Sequence, residues 1–523
     1  DQLALEDYLI DVGLEDAVLT VGGGAARAGR DLRDIVNQAR TVQRILDGLH
    51  SRYTRFVVEQ AAIGGALDAK LLGNRPAADV RVDADDPGSP QVFIRGFGTN
   101  AFNPSFESSV GFVQDEIFFG RPGYFTESLF DVDRVEVLRG PQNTLFGKNT
   151  IAGVFNVTSK GPQNNGGQFG ADGRYFYGEQ GERRFEGGVG GMFADWGGVR
   201  FAALKRQQDG ELFNTFLNRN EESLKQDAYR FKTLLLPSKS VQTELTATVS
   251  DTKAPFWPYQ LAQLDADTRS YLQNFDPNVE DDPLDFRTES DTRGFISKGS
   301  ETLGLKTQWS MGDVAGLQDV NSVLVLGGSR FHIDQLNELD VSPADIARLD
   351  NHEKHRQFTS ELRFTGKAGS LFGLGTGLEF VGGLYQFQSR YDLFVRILAG
   401  QDIGSYLLTD DAAQLATANR SAQTTGQIPL SLTGLAGITA PIADGDFYQL
   451  DYGQDIRALA LFGQFTWNLD EKLSITPGLR INREVKAGRG SPHGGVFLDI
   501  FSRRSAEDIK KKLEAAGAKV ELK

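Results

Sequence analysis

The chain has no cysteine, 2 methionines and 5 histidines in 523 residues. The absence of thiols excludes a disulfide framework, cysteine-based zinc sites and thiol catalysis. The histidines are scattered, and His352-Glu353-Lys354-His355 sets its two imidazoles three apart, not the four of a helical zinc motif. A basic excess is lacking too: the formal net charge is −15 and the pI near 5.0, against a nucleic-acid footprint. No run of about 18 apolar residues occurs, so no transmembrane helix is expected. The opening DQLALEDYLIDVG lacks the basic start and unbroken apolar core of a signal peptide, and Asp1 is expected to be a processed or artificial end.

Glycine and phenylalanine are plentiful, at 60 and 36 residues. With a mean hydropathy of −0.32, they fit a barrel with a polar lumen and a lipid-facing belt, and equally a soluble all-β protein. Residues 1–75 have helical spacing. Leu32, Ile35, Val36, Ala39, Val42, Ile45, Leu46 and Leu49 predict an amphipathic helix over Asp31 to His50, and shorter helices precede and follow it. Asp, Pro and Gly cluster in 76–90, which reads as a linker. From Gln91 the pattern is β, with strands expected at 91–96, Val110 to Phe119, Asp133 to Leu138 and Ala152 to Ser159. After Pro162, eleven β segments of about ten residues or more follow. Their connections are short near 178–182 and at Ala194-Asp195, and long at 253–298 and 392–452. At the end, Ser505 to Asp508 form a capping box for a last helix that Gly517 stops.

VFIRGFG at 92–98 and VDRVEVLRGPQNTLFGKNTIAGVFNVTSKGP at 132–162 resemble the plug of TonB-dependent outer-membrane receptors. The resemblance implies a mainly β fold. It would be a transmembrane antiparallel β-barrel, partial here, with an N-terminal α/β plug domain, flanked by short helical segments. Residues 91–163 would be plug and 164–490 barrel. The implied function is import of a scarce nutrient such as a ferric siderophore, cobalamin or a saccharide across the outer membrane of a Gram-negative cell. Its partners would be a small-molecule or metal-chelate ligand, outer-membrane lipid and the TonB energy-coupling complex. No TonB box is found here, and the middle segment calls for no nucleic acid. No enzyme activity, catalytic residue, cofactor or metal ligand is expected. Gly96 and Gly98 permit positive φ and close backbone approach, and Gly140-Pro141 turns the chain out of its strand. The guanidinium forks of Arg95 and Arg139 are expected to anchor the plug to carboxylates of the barrel wall. Asn100, Asn103, Arg121 and Tyr124, on loops resembling plug apices, are expected to contact the ligand.

The flanks resemble other families. LALEDYLIDVGLEDAVL, DLRDIVNQARTVQRILDGLHSRY and RFVVEQAAIGGALD in 1–75 are similar to the stretch of DNA gyrase B that follows its toprim core. Neither an ATPase domain nor the toprim acidic cluster accompanies them. AEDIKKKLEAAGAKVELK, within 491–523, resembles the end of the ribosomal stalk protein. A composite chain is therefore expected, the competing readings being a chain without function and a topoisomerase fragment. GPQNTLFGKNT is no phosphate loop, since Gly140 and Gly147 are too far apart and Asn149 follows Lys148. Asp281, Asp282 and Asp285 read as a solvated acidic loop rather than a calcium site.

Overall fold

The computed structural model describes residues 80–494 apart from 84–90, 95–96, 100–106, 126–128, 179–180, 211, 222, 256–258, 262, 283–284, 370–376, 403–444 and 470–472. The helices expected within 1–75 and after Ser505 lie outside the described residues, as do Arg95, Gly96, Asn100 and Asn103.

The first described residues are already β. β1 (Val80–Asp83) pairs antiparallel with β2 (Gln91–Ile94), Val82 opposite Val92, and β3 (Phe97–Gly98) pairs with β2. The stretch 76–90 is thus not simply a linker. The alternation of Val80 and Val82 with Arg81 and Asp83 spans only four residues, and the Asp, Pro and Gly around it hide it. Gly98 is not in the left-handed region; it is needed for space, since a Cβ there would stand 2.1 Å from Phe93 Cδ1.

β4 (Val110–Gln114), β5 (Ile117–Phe119), β6 (Val132–Arg139) and β7 (Gly153–Ser159) form a second sheet in the order β5-β4-β7-β6. β4 and β7 are parallel. Val110 to Phe119 is therefore a hairpin and not the single strand expected. Asp115 and Glu116 both take positive φ, 48° and 67°, as a two-residue turn that matches strand twist requires. Neither is the glycine or asparagine that would have signalled it. After β6, Gly140 has φ 76° and donates its N–H to Ala152 O at 3.0 Å, and α1 (Asn143–Phe146) follows Pro141. Gly140→Ala is expected to cost about 1–2 kcal/mol from the left-handed backbone alone, because a Cβ there meets nothing within 4 Å. The midpoint shift in denaturant unfolding measures it, and an unchanged midpoint would show that the turn relaxes.

The rest is one antiparallel sheet, called the wall below. Its long strands are β8 (Gly170–Tyr177), β9 (Arg183–Ala194), β10 (Gly197–Gln208), β13 (Leu224–Ser238), β14 (Val241–Ala254) and β16 (Phe295–Val314). β17 (Leu317–Glu338), β18 (Ala347–Ala368), β19 (Gly377–Ala399), β20 (Gly445–Asn468) and β22 (Gly478–Gly494) continue it. β21 (Ser474–Ile475) adds a bridge to β20. Short pairings of β11 (Phe213–Asn214) with β12 (Arg219–Asn220) and β15 (Arg287–Thr288) lie in the loops. Each long strand pairs with the next, and among the described residues the sheet stays open, with β8 and β22 at its edges.

These eleven strands fall where the eleven segments were expected, but several are twice as long. β16 to β20 run 20 to 24 residues, roughly 70–80 Å at about 3.4 Å per residue. A lipid band is only about 25 Å tall, so these strands project far beyond one. Alternation explains both faces. Phe201, Phe231, Leu303, Leu362, Leu384 and Leu461 point out and are exposed, while Arg200, Lys232, Lys306, Arg363 and Phe462 point in. Connections alternate as well: the turns at 195–196, 239–240 and 315–316 are tight, and 255–294 and 400–444 are long. The short 178–182 connection lies on the long-loop side, since it precedes β9 and the 195–196 turn follows it.

Candidate functional site

The plug hairpins pack against the inner face of the wall. Phe112, Ile117, Phe119, Tyr124, Phe125 and Phe155 join Ile296, Phe331 and Ile333 of the wall in one buried core. At the apex, Arg121 precedes a single 3-10 turn (Pro122–Tyr124). The Arg121 guanidinium lies 4.0 Å above the Tyr391 ring, and its Nη2 donates to Gln454 Oε1 at 2.8 Å. Tyr124 is 2% exposed. Its hydroxyl meets His355 Nδ1 at 3.0 Å, and its ring stands edge-on to Phe331. Gln357 clamps the strand before them, accepting from Gly120 N at 2.9 Å and donating to Phe118 O at 2.7 Å. Arg121 and Tyr124, expected to contact the ligand, are thus buried where plug meets wall, Arg121 directly on Tyr391 and Gln454. The wall neighbours of this turn, Phe331, His355, Tyr391 and Gln454, come from strands over 200 residues away, and no local pattern announces them.

Among the described residues the charged contacts between plug and wall run both ways, and those that seat the 115–116 turn and Asp131 are plug acids on wall bases. Asp131 is gripped by Arg200 through Nε at 2.8 Å and Nη2 at 2.5 Å. Asp115 Oδ1 is 3.2 Å from Lys232 Nζ. Glu116 bonds Lys306 Nζ at 2.6 Å and Arg363 Nη2 at 2.5 Å. Burial pushes the Asp115 carboxyl up, but Lys232 and Arg230 pull it further down, so it ends below the usual range. Burial likewise raises Glu116, and Lys306 and Arg363 more than reverse it. Lys148, set aside as a phosphate ligand above, bridges Glu107 at 2.6 Å and Glu484 of the wall at 3.2 Å. Arg230 Nη1 donates to Phe130 O at 2.6 Å. Arg139 is half-buried at the end of β6, where its carbonyl accepts from Gln142 Nε2 at 3.3 Å.

Beside the apex the inner wall carries Tyr391, whose hydroxyl donates to Glu353 Oε2 at 2.8 Å, and Gln454, which donates to the Tyr452 hydroxyl at 2.9 Å. Aromatic rings, carboxamides and one carboxylate converge there, the donor set of a polar small-molecule site.

The long loops form a cap with its own core: Leu261, Leu264, Leu272, Val279, Val341 and Ile346. Within it α2 (Ala266–Leu272) is capped by Asp265, which accepts from Thr268 N at 2.8 Å. Asp281 and Asp285 are occupied by protein donors, Arg269 and Leu264 N for the first, Gln260 and Arg287 N for the second. They form loop hydrogen bonds, and among the described residues no group of metal-ligating side chains occurs. Deeper in the cap, burial and the neighbouring Asp285 push Glu289 up to about 7. Burial and Asp340 push Asp291 up to about 6. The folded cap thus binds protons that the unfolded loops release. Its stability is full below about pH 4.5 and falls as pH rises through 6 to 7, by on the order of 2 kcal/mol. Hydrogen exchange of the Asp291 amide, which donates to Ser342 O at 2.9 Å, checks this after correction for intrinsic rates. Protection should be greater at pH 5 than at pH 8, and Glu289→Gln should reduce the difference.

Comparison with known proteins agrees with this geometry. Residues 59–154 match the TonB-dependent receptor plug domain family, a match that begins inside the stretch resembling gyrase. The fold is similar to the ferric yersiniabactin uptake receptor FyuA from Yersinia pestis, with TM-score 0.58, 14% identity, and 84% of this chain and 57% of that one covered. The ferripyoverdine receptor of the outer membrane of Pseudomonas aeruginosa gives 0.55 at 16% identity, covering 80% and 50%. BauA, the ferric preacinetobactin receptor from Acinetobacter baumannii, gives 0.50 at 12%, covering 80% and 56%. The chain has the fold of TonB-dependent receptors, a plug against a β-barrel wall, and spans about half the length of these solved structures. A stretch of 101 residues is also 32% identical to DNA gyrase B of Caulobacter vibrioides, covering 18% of this chain and 12% of that protein.

Proposed function

We propose that this chain is the plug and adjoining wall of an outer-membrane receptor that takes up a scarce nutrient, a ferric chelate before cobalamin or a saccharide. The observation that carries the reading is the plug seated by Asp115, Glu116 and Asp131 on the cationic inner face of a wall whose outer face is apolar. A soluble protein has no use for a sheet with lipophilic residues on its outer face and charge within. The three solved receptors above are named for ferric chelates, which favours that class of cargo. The cargo would meet the inner wall at Tyr391, Tyr452 and Gln454 and the plug loop that bears Asn100 and Asn103. Arg95 and Arg139 would add to the plug's anchoring, and an energy-coupling complex of the TonB type would supply the work of uptake.

A titration in detergent tests the reading, with intrinsic fluorescence as the signal. The probes are ferric catecholate, ferric hydroxamate and ferric citrate complexes, their metal-free forms, cobalamin and a linear oligosaccharide. Saturable binding of one ferric chelate with Kd below about 1 µM, and weaker binding of its metal-free form, is expected. No saturable binding of any probe would overturn the reading.

A further inference from the structure

The turn of Asp115 and Glu116 does more than seat the plug. It lies against a cavity of about 550 Å³ between plug and wall, on the half of the wall next to the short turns. The wall there is made for close approach: a Cβ at Gly304 would stand 2.6 Å from Ile117 Cδ1, and one at Gly327 would stand 2.7 Å from Ile117 Cγ2. Thr246, Thr248 and Thr302 line it with hydroxyls. Lys232, Lys306 and Arg363 face it, and the Asp115 and Glu116 carboxylates bond all three. Two carboxylates of the plug thus occupy a cationic, hydroxyl-lined recess as an anionic solute would. Among the charged residues lining the cavity, acids exceed bases by one. Without these two acids the bases exceed the remaining acids, Asp133, Glu244 and Glu361, by one.

We propose that this cavity is a transit site for anionic, oxygen-rich solutes, masked at rest by the carboxylates of the Asp115–Glu116 turn. When the plug shifts, the carboxylates leave, and Lys232 and Lys306 face the passage without them, beside Arg363, which keeps only its wall partner Glu361 at 2.8 Å. A cargo bearing carboxylate, catecholate or similar oxygens then finds at the exit the counter-charges that the plug had held. The inference rests on the receptor reading for the identity of the traveller, but its chemistry is testable without any cargo.

The chain has no cysteine, so Thr246→Cys places a single thiol on the cavity wall. Its labelling rates by an anionic sulfonatoethyl and a cationic trimethylammonioethyl methanethiosulfonate are compared in the full chain. Glu116→Gln in that background removes the plug's charge from Lys306 and Arg363, while Asp115 keeps its bonds to Ser159 N and Oγ, at 3.0 and 2.7 Å, and so holds the turn. The anionic-to-cationic rate ratio is expected to rise about tenfold. Adding Lys306→Gln is expected to return it toward its starting value. An unchanged ratio, an equal acceleration of both reagents, or a raised ratio that survives Lys306→Gln would each overturn the proposal. Because no nutrient is involved, such a failure leaves the receptor reading intact, and a failed chelate titration leaves the labelling result to stand alone.

Discussion

Arg200→Ala is expected to destabilise the assembly of plug and wall by about 3–5 kcal/mol, the cost of leaving one partner of a buried ion pair alone. Arg200 projects inward from β10 and meets Asp131 with two parallel N–H bonds. The two side chains are 7% and 3% exposed, so water does little to replace the lost partner. Asp131 also sits at φ 50° and takes its own backbone N–H to Glu186 Oε1 at 2.9 Å, which leaves a second carboxylate nearby. Arg200→Lys restores charge but not the fork, and is expected to recover only part of the loss. Asp131→Asn added to Arg200→Ala should recover more, since the carboxylate that lost its fork is then neutral. Equilibrium unfolding in detergent measures the series. A loss below about 1 kcal/mol for Arg200→Ala would place this pair with solvent-exposed ones and contradict its role.

Tyr124→Ala should cost a similar amount, about 3–5 kcal/mol, for a different reason. The ring is packed among Phe119, Phe331 and His355, and truncation opens a cavity between plug and wall. Tyr124→Phe separates the hydroxyl from the ring and is expected to cost about 1 kcal/mol, the worth of one buried hydrogen bond to His355. Unfolding midpoints give both values. Hydrogen exchange at β4 and β7 should also quicken in Tyr124→Ala if the ring holds the plug sheet to the wall. Equal effects of the two substitutions would show that the hydroxyl, not the packing, matters.

The sequence made some of this legible and concealed the rest for physical reasons. The plug was visible because Gly140-Pro141 and the alternating VDRVEVLRG stretch are local signals, and β6 and β7 appear where they were expected. The eleven wall segments were visible because period-2 alternation survives in each. Their true lengths were not, since beyond a lipid band the outward residues turn polar, as with Glu301 and Arg330, a salt bridge at 2.6 Å, and the contrast between faces fades. The hairpin at Asp115 and Glu116 was missed because its positive φ values fall on residues that do not advertise them. The acidic anchors were not legible because they depend on pairs such as Asp115 with Lys232 and Glu116 with Arg363, 117 and 247 positions apart. Arginines are conspicuous in the plug motifs, whereas the acids that bind the wall sit in a turn and at a strand start. The burial of Arg121 and Tyr124 was hidden for the same reason: a loop with Gly and Pro reads as exposed, and only the fold shows Tyr391, Gln454 and His355 covering it.

A receptor of this fold meets lipid with one face of its sheet and encloses the plug with the other. Leu461 and Phe462 are neighbours in β20, and the first is 55% exposed while the second is 3% exposed. In a chain whose 4 tryptophans are replaced by phenylalanine, Leu461→Trp and Phe462→Trp each give one reporter. After reconstitution into bilayers with brominated acyl chains, strong quenching is expected at 461 and little at 462, with aqueous iodide quenching neither strongly. Equal quenching by bromine at both positions, or strong iodide quenching at 461, would contradict it.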